Sequence, residues 1–196
     1  MRVLGVDPGL TRLGVGIVSF GKHRDLQFEH VEVLRTTPEQ ELPERITTLG
    51  DSIAKILDSQ TIDAVAIERV FAGQNLPSVM GVAQITGVII YIANTRGIPV
   101  TMYTPKEVKS RVTGYGAADK QQVTNMVTKI LKLGQAPKPA DAADALALAI
   151  THAWSLSKNQ LALTSNRAGI RSGTPAQQAW KAAERASKNT SLNKKP

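Results

Sequence analysis

MRVLGVDPGLTRLGVGIV, residues 1–18, decides the fold. RVLGV (2–6) is a short apolar run that ends on the carboxylate Asp7, turns at Pro8-Gly9, and resumes as the apolar run LGVGIVSF (13–20), so the pattern predicts two strands of a hairpin. LQFEHVEVL (26–34) then alternates apolar and polar residues with a period of two, which predicts a third antiparallel strand. From there the period changes. ITTLGDSIAKILDSQ (46–60) has apolar positions at helical spacing, with Pro43 near its start and Asp51 four residues before Lys55. DAVAIE (63–68) reads as a short buried strand and IPVTMY (98–103) as another, with the long apolar stretch VMGVAQITGVIIYIANTRG (79–97) between them as a helix. TPKEVKS (104–110), KQQVTNMVTKILKL (120–133) and ADAADALALAITHAW (140–154) are further helices. Three antiparallel strands followed by strands joined through helices predict an α/β fold with a mixed five-stranded sheet flanked by helices.

Composition limits what such a fold can do. With 196 residues, 42% of them hydrophobic, one ordinary core is expected. The chain has no cysteine, so disulfides, thiolate metal sites and cysteine nucleophiles are excluded together. The N-terminus lacks a signal peptide's apolar core, and no apolar run is long enough to span a bilayer; the expectation is a cytoplasmic protein without a membrane partner. The net charge of +8 is unevenly placed: residues 153–196 hold 8 of the 24 Lys and Arg but 1 of the 16 Asp and Glu. The sequence therefore divides into a folded domain over 1–156 and a basic, mostly disordered tail over 157–196, with one short helix around PAQQAWKAAERA (175–186). Such a tail either draws on phosphates in a salt-dependent way or serves as a solubilising appendage.

The candidate chemistry lies in four acids. Asp7 and Glu68 each end an apolar strand and therefore stand at the rim of the sheet. Taken singly, Asp7 reads first as a turn former, and Glu68 reads equally as a solvated strand end. Asp141 and Asp144 lie three apart at the start of a helix, so both project to one side. Capping accounts for one acid there better than for two, and the alanines around them leave room for a substrate. Four carboxylates brought together repel one another unless divalent cations sit among them, and an all-oxygen donor set favours Mg2+ or Mn2+ over zinc. Two such ions can hydrolyse a phosphodiester without a covalent nucleophile. His152 shares roughly the face of the two aspartates but lies well down the helix, where a hydrogen-bonded core histidine is the expected reading. Lys109 and Lys120 bracket the loop RVTGYGAAD (111–119) and can approach a phosphate backbone, although solvated helix faces are the simpler account of the lysines that follow. Phe71, three residues past Glu68, either packs inward or wedges between bases.

Three blocks, VLGVDPGLTRLGVGIV (3–18), AIERVFAGQNLPSVMGVAQ (66–84) and KPADAADALALAITHAW (138–154), closely resemble the bacterial Holliday junction resolvases of the RuvC family. The resemblance implies an RNase H-like fold and a homodimer that cuts four-way DNA junctions symmetrically, leaving 5'-phosphate ends, in recombination and repair. It places the metal-binding carboxylates on Asp7, Glu68, Asp141 and Asp144, with two Mg2+ expected per subunit and Mn2+ able to substitute. It puts Phe71 at the junction centre, Lys109 and Lys120 near the scissile phosphate, and the dimer helix around 77–96. Arg69 stands where the family more often has a neutral glutamine, so its contact with DNA is expected to differ. The implied partner is the branch-migration complex, a junction-binding protein with a hexameric ATPase motor, and the implied location is the nucleoid. The Asp-Pro-Gly turn and glycine-patterned hairpin are also similar to the phosphate loop of actin-like sugar kinases, but the chain has no second phosphate loop. A junction-binding scaffold without catalysis is the other reading.

Overall fold

The structure is a computed structural model that describes residues 1–21, 25–70 and 76–169. Its strands are β1 (Arg2–Asp7), β2 (Arg12–Phe20), β3 (Leu26–Arg35), β4 (Ala64–Glu68) and β5 (Val100–Tyr103). The helices are α1 (Leu42–Ser59), α2 (Leu76–Thr95), α3 (Pro105–Thr113), α4 (Lys120–Ile130) and α5 (Ala140–Gly169). The strands form one sheet in the order β3-β2-β1-β4-β5. β1 pairs antiparallel with β2, and β2 with β3, while β4 joins β1 and β5 joins β4 in parallel. This is the mixed five-stranded sheet expected from the change of period along the chain. Residues 1–155 form one compact unit. No helix among the described residues is long and apolar enough to cross a membrane.

Strand parity assigns the two faces. Leu4 and Val6 of β1, Leu13, Val15 and Ile17 of β2, and Val65 and Ile67 of β4 join one core with Leu49, Ile53 and Ile56 of α1 and Ile85 and Ile89 of α2. The alternate positions turn the other way, and there α5 lies directly on the backbone. A Cβ on Gly5 would stand 2.1 Å from the carbonyl oxygen of Ala145, and one on Gly14 would stand 2.2 Å from that of Asp141. Ala142, Ala145 and Ala149 are buried. Alanines against glycines let the helix approach the sheet more closely than larger side chains allow. Ala142 and Ala143, in the first turn beside the acids, are buried as well, so they do not open the room for a substrate that their small size suggests.

The parity continues to the strand ends. Asp7 shares a face with Gly5, and Glu68 shares it with Ala64 and Ala66, so both acids point to the α5 side of the sheet. Since β1 and β4 are parallel neighbours with Val6 beside Ile67, the two acids emerge at the same edge. α5 runs beyond Trp154, where the apolar pattern ends, and continues to Gly169. The short helix expected at 175–186 lies outside the described residues.

Candidate active site

Each acid is delivered by an element whose local sequence explains its position. Asp7 and Glu68 are the last residues of β1 and β4. Asp141 and Asp144 occupy the start of α5, whose register on the sheet is set by the contacts at Gly5 and Gly14. On the opposite wall, α3 begins with a reciprocal capping box between Thr104 and Glu107, and α4 with one between Asp119 and Gln122. Val108 and Val112 of α3 and Val123 and Val127 of α4 are buried. Lys109 and Lys120 are thereby turned toward the acids.

Asp7, Glu68, Asp144, Lys109 and Lys120 line one cleft of ≈ 240 Å³. Neither Asp7 nor Glu68 accepts a hydrogen bond from any described residue, and neither helix acid accepts one from a backbone amide. The turn-former and capping readings therefore fail on geometry. Lys120 donates to Asp144 across 3.3 Å, and its own pKa is held above the usual value, chiefly by Asp144.

Asp141 departs from the expectation that both helix acids face one side together. It lines a neighbouring cleft, where its carboxylate meets Arg12 at 3.1 Å. The guanidinium at the start of β2 draws it toward the β1–β2 turn. Its charge still reaches Asp7. Burial first, then the charges of Glu68, Asp144 and Asp141, push the Asp7 carboxyl up to about 7, with Lys120 opposing. Glu68 is also raised, by burial and then by Asp144.

This excess of buried negative charge is the feature that a divalent cation would neutralise. The donors are all hard oxygens, as Mg2+ or Mn2+ prefers, so the residues fit such ions by chemistry. As they stand, with Arg12 and Lys120 on the two helix acids, no group of three His, Asp or Glu among the described residues is arranged to hold a metal ion.

The remaining candidates separate. His152 is buried, its pKa lowered by burial, and its Nδ1 is 2.8 Å from the hydroxyl of Tyr103. It is a core histidine away from the cleft. Arg69 is exposed just beyond Glu68, and its charge adds to the hydrogen bonds with Thr104 that chiefly hold Glu107 below the usual carboxylate range. Phe71 lies outside the described residues. Arg12 was not recognised in the sequence. The available signal was an arginine at the start of a strand, five residues past Asp7, with no local carboxylate to pair it.

Residues 3–152 match the family model for the crossover junction endodeoxyribonuclease RuvC. The chain belongs to the RuvC family. RuvC relatives are close: that of Leifsonia xyli is 51% identical, the alignment covering 97% of this chain and 95% of the relative. The RuvC of Paenarthrobacter aurescens is 52% identical over 94% of this chain and 95% of its own. Among solved structures, Thermus thermophilus RuvC in complex with a Holliday junction substrate is 36% identical, with a TM-score of 0.76 over 81% of this chain and 96% of that one. The similarity carries the RNase H-like fold, as expected from the three sequence blocks.

Proposed function

We infer that this chain is a crossover junction endodeoxyribonuclease that resolves four-way DNA junctions in recombination and repair, by paired, symmetric and metal-dependent phosphodiester hydrolysis leaving 5'-phosphate ends. The observation that carries the mechanism is the convergence of Asp7, Glu68 and Asp144 with Lys109 and Lys120 on one cleft at the sheet edge. Asp7, Glu68, Asp141 and Asp144 are the proposed catalytic and metal-binding acids, with two Mg2+ per subunit and Mn2+ as a substitute. When bound, the ions would supply a water nucleophile at neutral pH and stabilise the departing 3'-oxygen. The chain's own part is positional. Rigid strand ends hold Asp7 and Glu68, burial excludes competing water, and Lys109 and Lys120 orient the phosphate between them. Phe71 and Arg69 are assigned to DNA contact beside the cleft. The domain over 1–156 carries this chemistry, and the basic segment over 157–196 is an appendage to it.

Pairing of the cuts requires two sites, and α2 offers the means. Its exposed residues Met80, Ala83, Gly87 and Tyr91, with Gln84 as the polar member among them, make a mostly apolar stripe along the helix, with Tyr91 69% exposed. A second copy packed on the helix around 77–96 would cover the stripe and relate two clefts by a twofold axis. The branch-migration complex, a junction-binding protein and its hexameric ATPase, is the proposed partner, and the cytoplasmic nucleoid the proposed location.

The test is cleavage of a synthetic four-way junction, a linear duplex and an RNA–DNA hybrid, each in Mg2+ and in EDTA, with the ends mapped. Symmetric nicks confined to the junction and dependent on Mg2+ are expected. Cutting of the hybrid alone would move the substrate to another class, and tight junction binding without cutting would leave a scaffold.

A further inference from the structure

The cleft beside the acids is the larger of the two, at ≈ 460 Å³, and holds a pair of arginines that catalysis has not used. Arg45 comes from the first turn of α1, where a cation runs against the helix dipole. It is half-buried and clamped: Nε donates to the Thr36 hydroxyl and Nη2 to the Thr11 hydroxyl, both at 2.9 Å. Thr36 is itself buried and donates to the carbonyl of Leu10, so the grip is anchored on the β1–β2 turn. Among the described residues no carboxylate lies within ion-pair distance of Arg45. Two neutral hydroxyls fix its plane and leave its remaining N–H donors facing a cleft. Glu39 feels the Arg45 charge only from beyond ion-pair distance, so the half-buried guanidinium still has room for an anion in contact, and its planar fork suits a phosphate.

Arg12 lies in the same cleft but is not free, because Asp141 holds it. The two arginines therefore differ in what an anion must displace.

We propose that Arg45 and Arg12 form a phosphate subsite, one cleft away from the scissile position, that takes a backbone phosphate of the DNA strand being cut. Arg45 is its standing half. Arg12 joins when Asp141 releases it, so recruitment of Asp141 to the acid cluster and capture of the second phosphate are one exchange of partners. The proposal rests on the nuclease reading, which supplies a phosphate backbone passing the acids.

Salt dependence separates this subsite from a purely structural clamp. Each phosphate neutralised on duplex DNA contributes roughly 0.9 to the slope of log K against log salt. Binding of the full chain to a synthetic four-way junction is measured over a NaCl series in EDTA, where no cutting occurs, with thermal melting as the folding control. Arg45→Met is expected to lower the slope by about 1, and Arg45→Lys to keep it. Equal slopes for wild type and Arg45→Met, or equal losses in Met and Lys variants, would reduce Arg45 to a loop clamp. If Arg45→Met does not fold, the Arg12 cycle decides. Asp141→Asn frees Arg12 without metal and is expected to raise the slope by about 1, a gain that Asp141→Asn with Arg12→Met abolishes. A gain that survives in the double variant is relief of repulsion by Asp141 and overturns the exchange. Wild-type chain that neither binds the junction nor cuts it in Mg2+ would defeat the nuclease reading itself, which is a different outcome from unchanged slopes.

Discussion

The acid cleft and the outer stripe of α2 are opposites that break the same rule. One puts negative charge where water is scarce, raising Asp7 to about 7; the other leaves Met80 and Tyr91 in water where burial is favourable. Neither makes sense in an isolated chain. α1, which packs beside α2, shows the ordinary case: beyond Leu42 and Pro43 at its start, its outer positions Glu44, Thr47, Asp51, Lys55 and Asp58 are polar. Local violations of good packing mark the places where something outside the chain completes the structure. For the cleft the proposed complement is cationic, and for the stripe it is apolar.

The two regions should therefore fail separately. The largest effect expected is on cutting: Asp7→Asn should lower the junction cleavage rate at least about 10³-fold, with sedimentation as for wild type and junction binding largely kept. Cutting by this variant at the wild-type rate would remove Asp7 from the site. Next comes pH. Asp7 titrates at about 7 in the folded chain against 3.8 ordinarily, so between those values the unfolded chain loses the proton while the folded chain keeps it. Stability of the metal-free protein should thus fall as pH rises from about 4 to about 7, by on the order of 4 kcal/mol from this group, then level off. Denaturant titrations across that range on wild type and Asp7→Asn would show it as a slope present in the first and reduced in the second.

On the other side of the comparison, Tyr91→Glu should weaken the proposed dimer by about 30-fold or more and turn paired cuts into independent ones, leaving the acids untouched. An unchanged dimer would put the interface elsewhere. Gly14→Ala tests the scaffold between the regions. Its Cβ would meet the Asp141 carbonyl, so a loss of about 1–3 kcal/mol is expected on melting, with α5 lifted from the sheet. Smallest is the control on α1: Thr47→Glu, on its polar outer face, should change stability by no more than about 0.5 kcal/mol and leave the dimer as it was.

How far the site could be read from sequence follows from how local its causes are. A strand end is a local event, so Asp7 and Glu68 were recognisable from where their apolar runs stopped. The capping boxes at Thr104 and Asp119, which aim Lys109 and Lys120, are also local. The partners of the helix acids are not. Arg12 and Asp141 are near opposite ends of the domain sequence, and no periodicity announces that they meet at 3.1 Å. The alanines of α5 are visible in sequence, but the packing of Ala145 and Ala149 is not, because the glycines they meet belong to strands far away in sequence.

The order of periods along the chain, the parity that sends Asp7 and Glu68 to one face, and the apolar excess of α2 were determined by sequence alone, since each depends on neighbours within a few residues. Tertiary structure alone decided that the acids divide between two clefts, that His152 pairs with Tyr103, and that Arg45 is clamped by two hydroxyls with no carboxylate in ion-pair contact among the described residues. Those outcomes depend on ion pairs and hydrogen bonds between distant segments, whose partners are chosen only when the sheet and helices have packed.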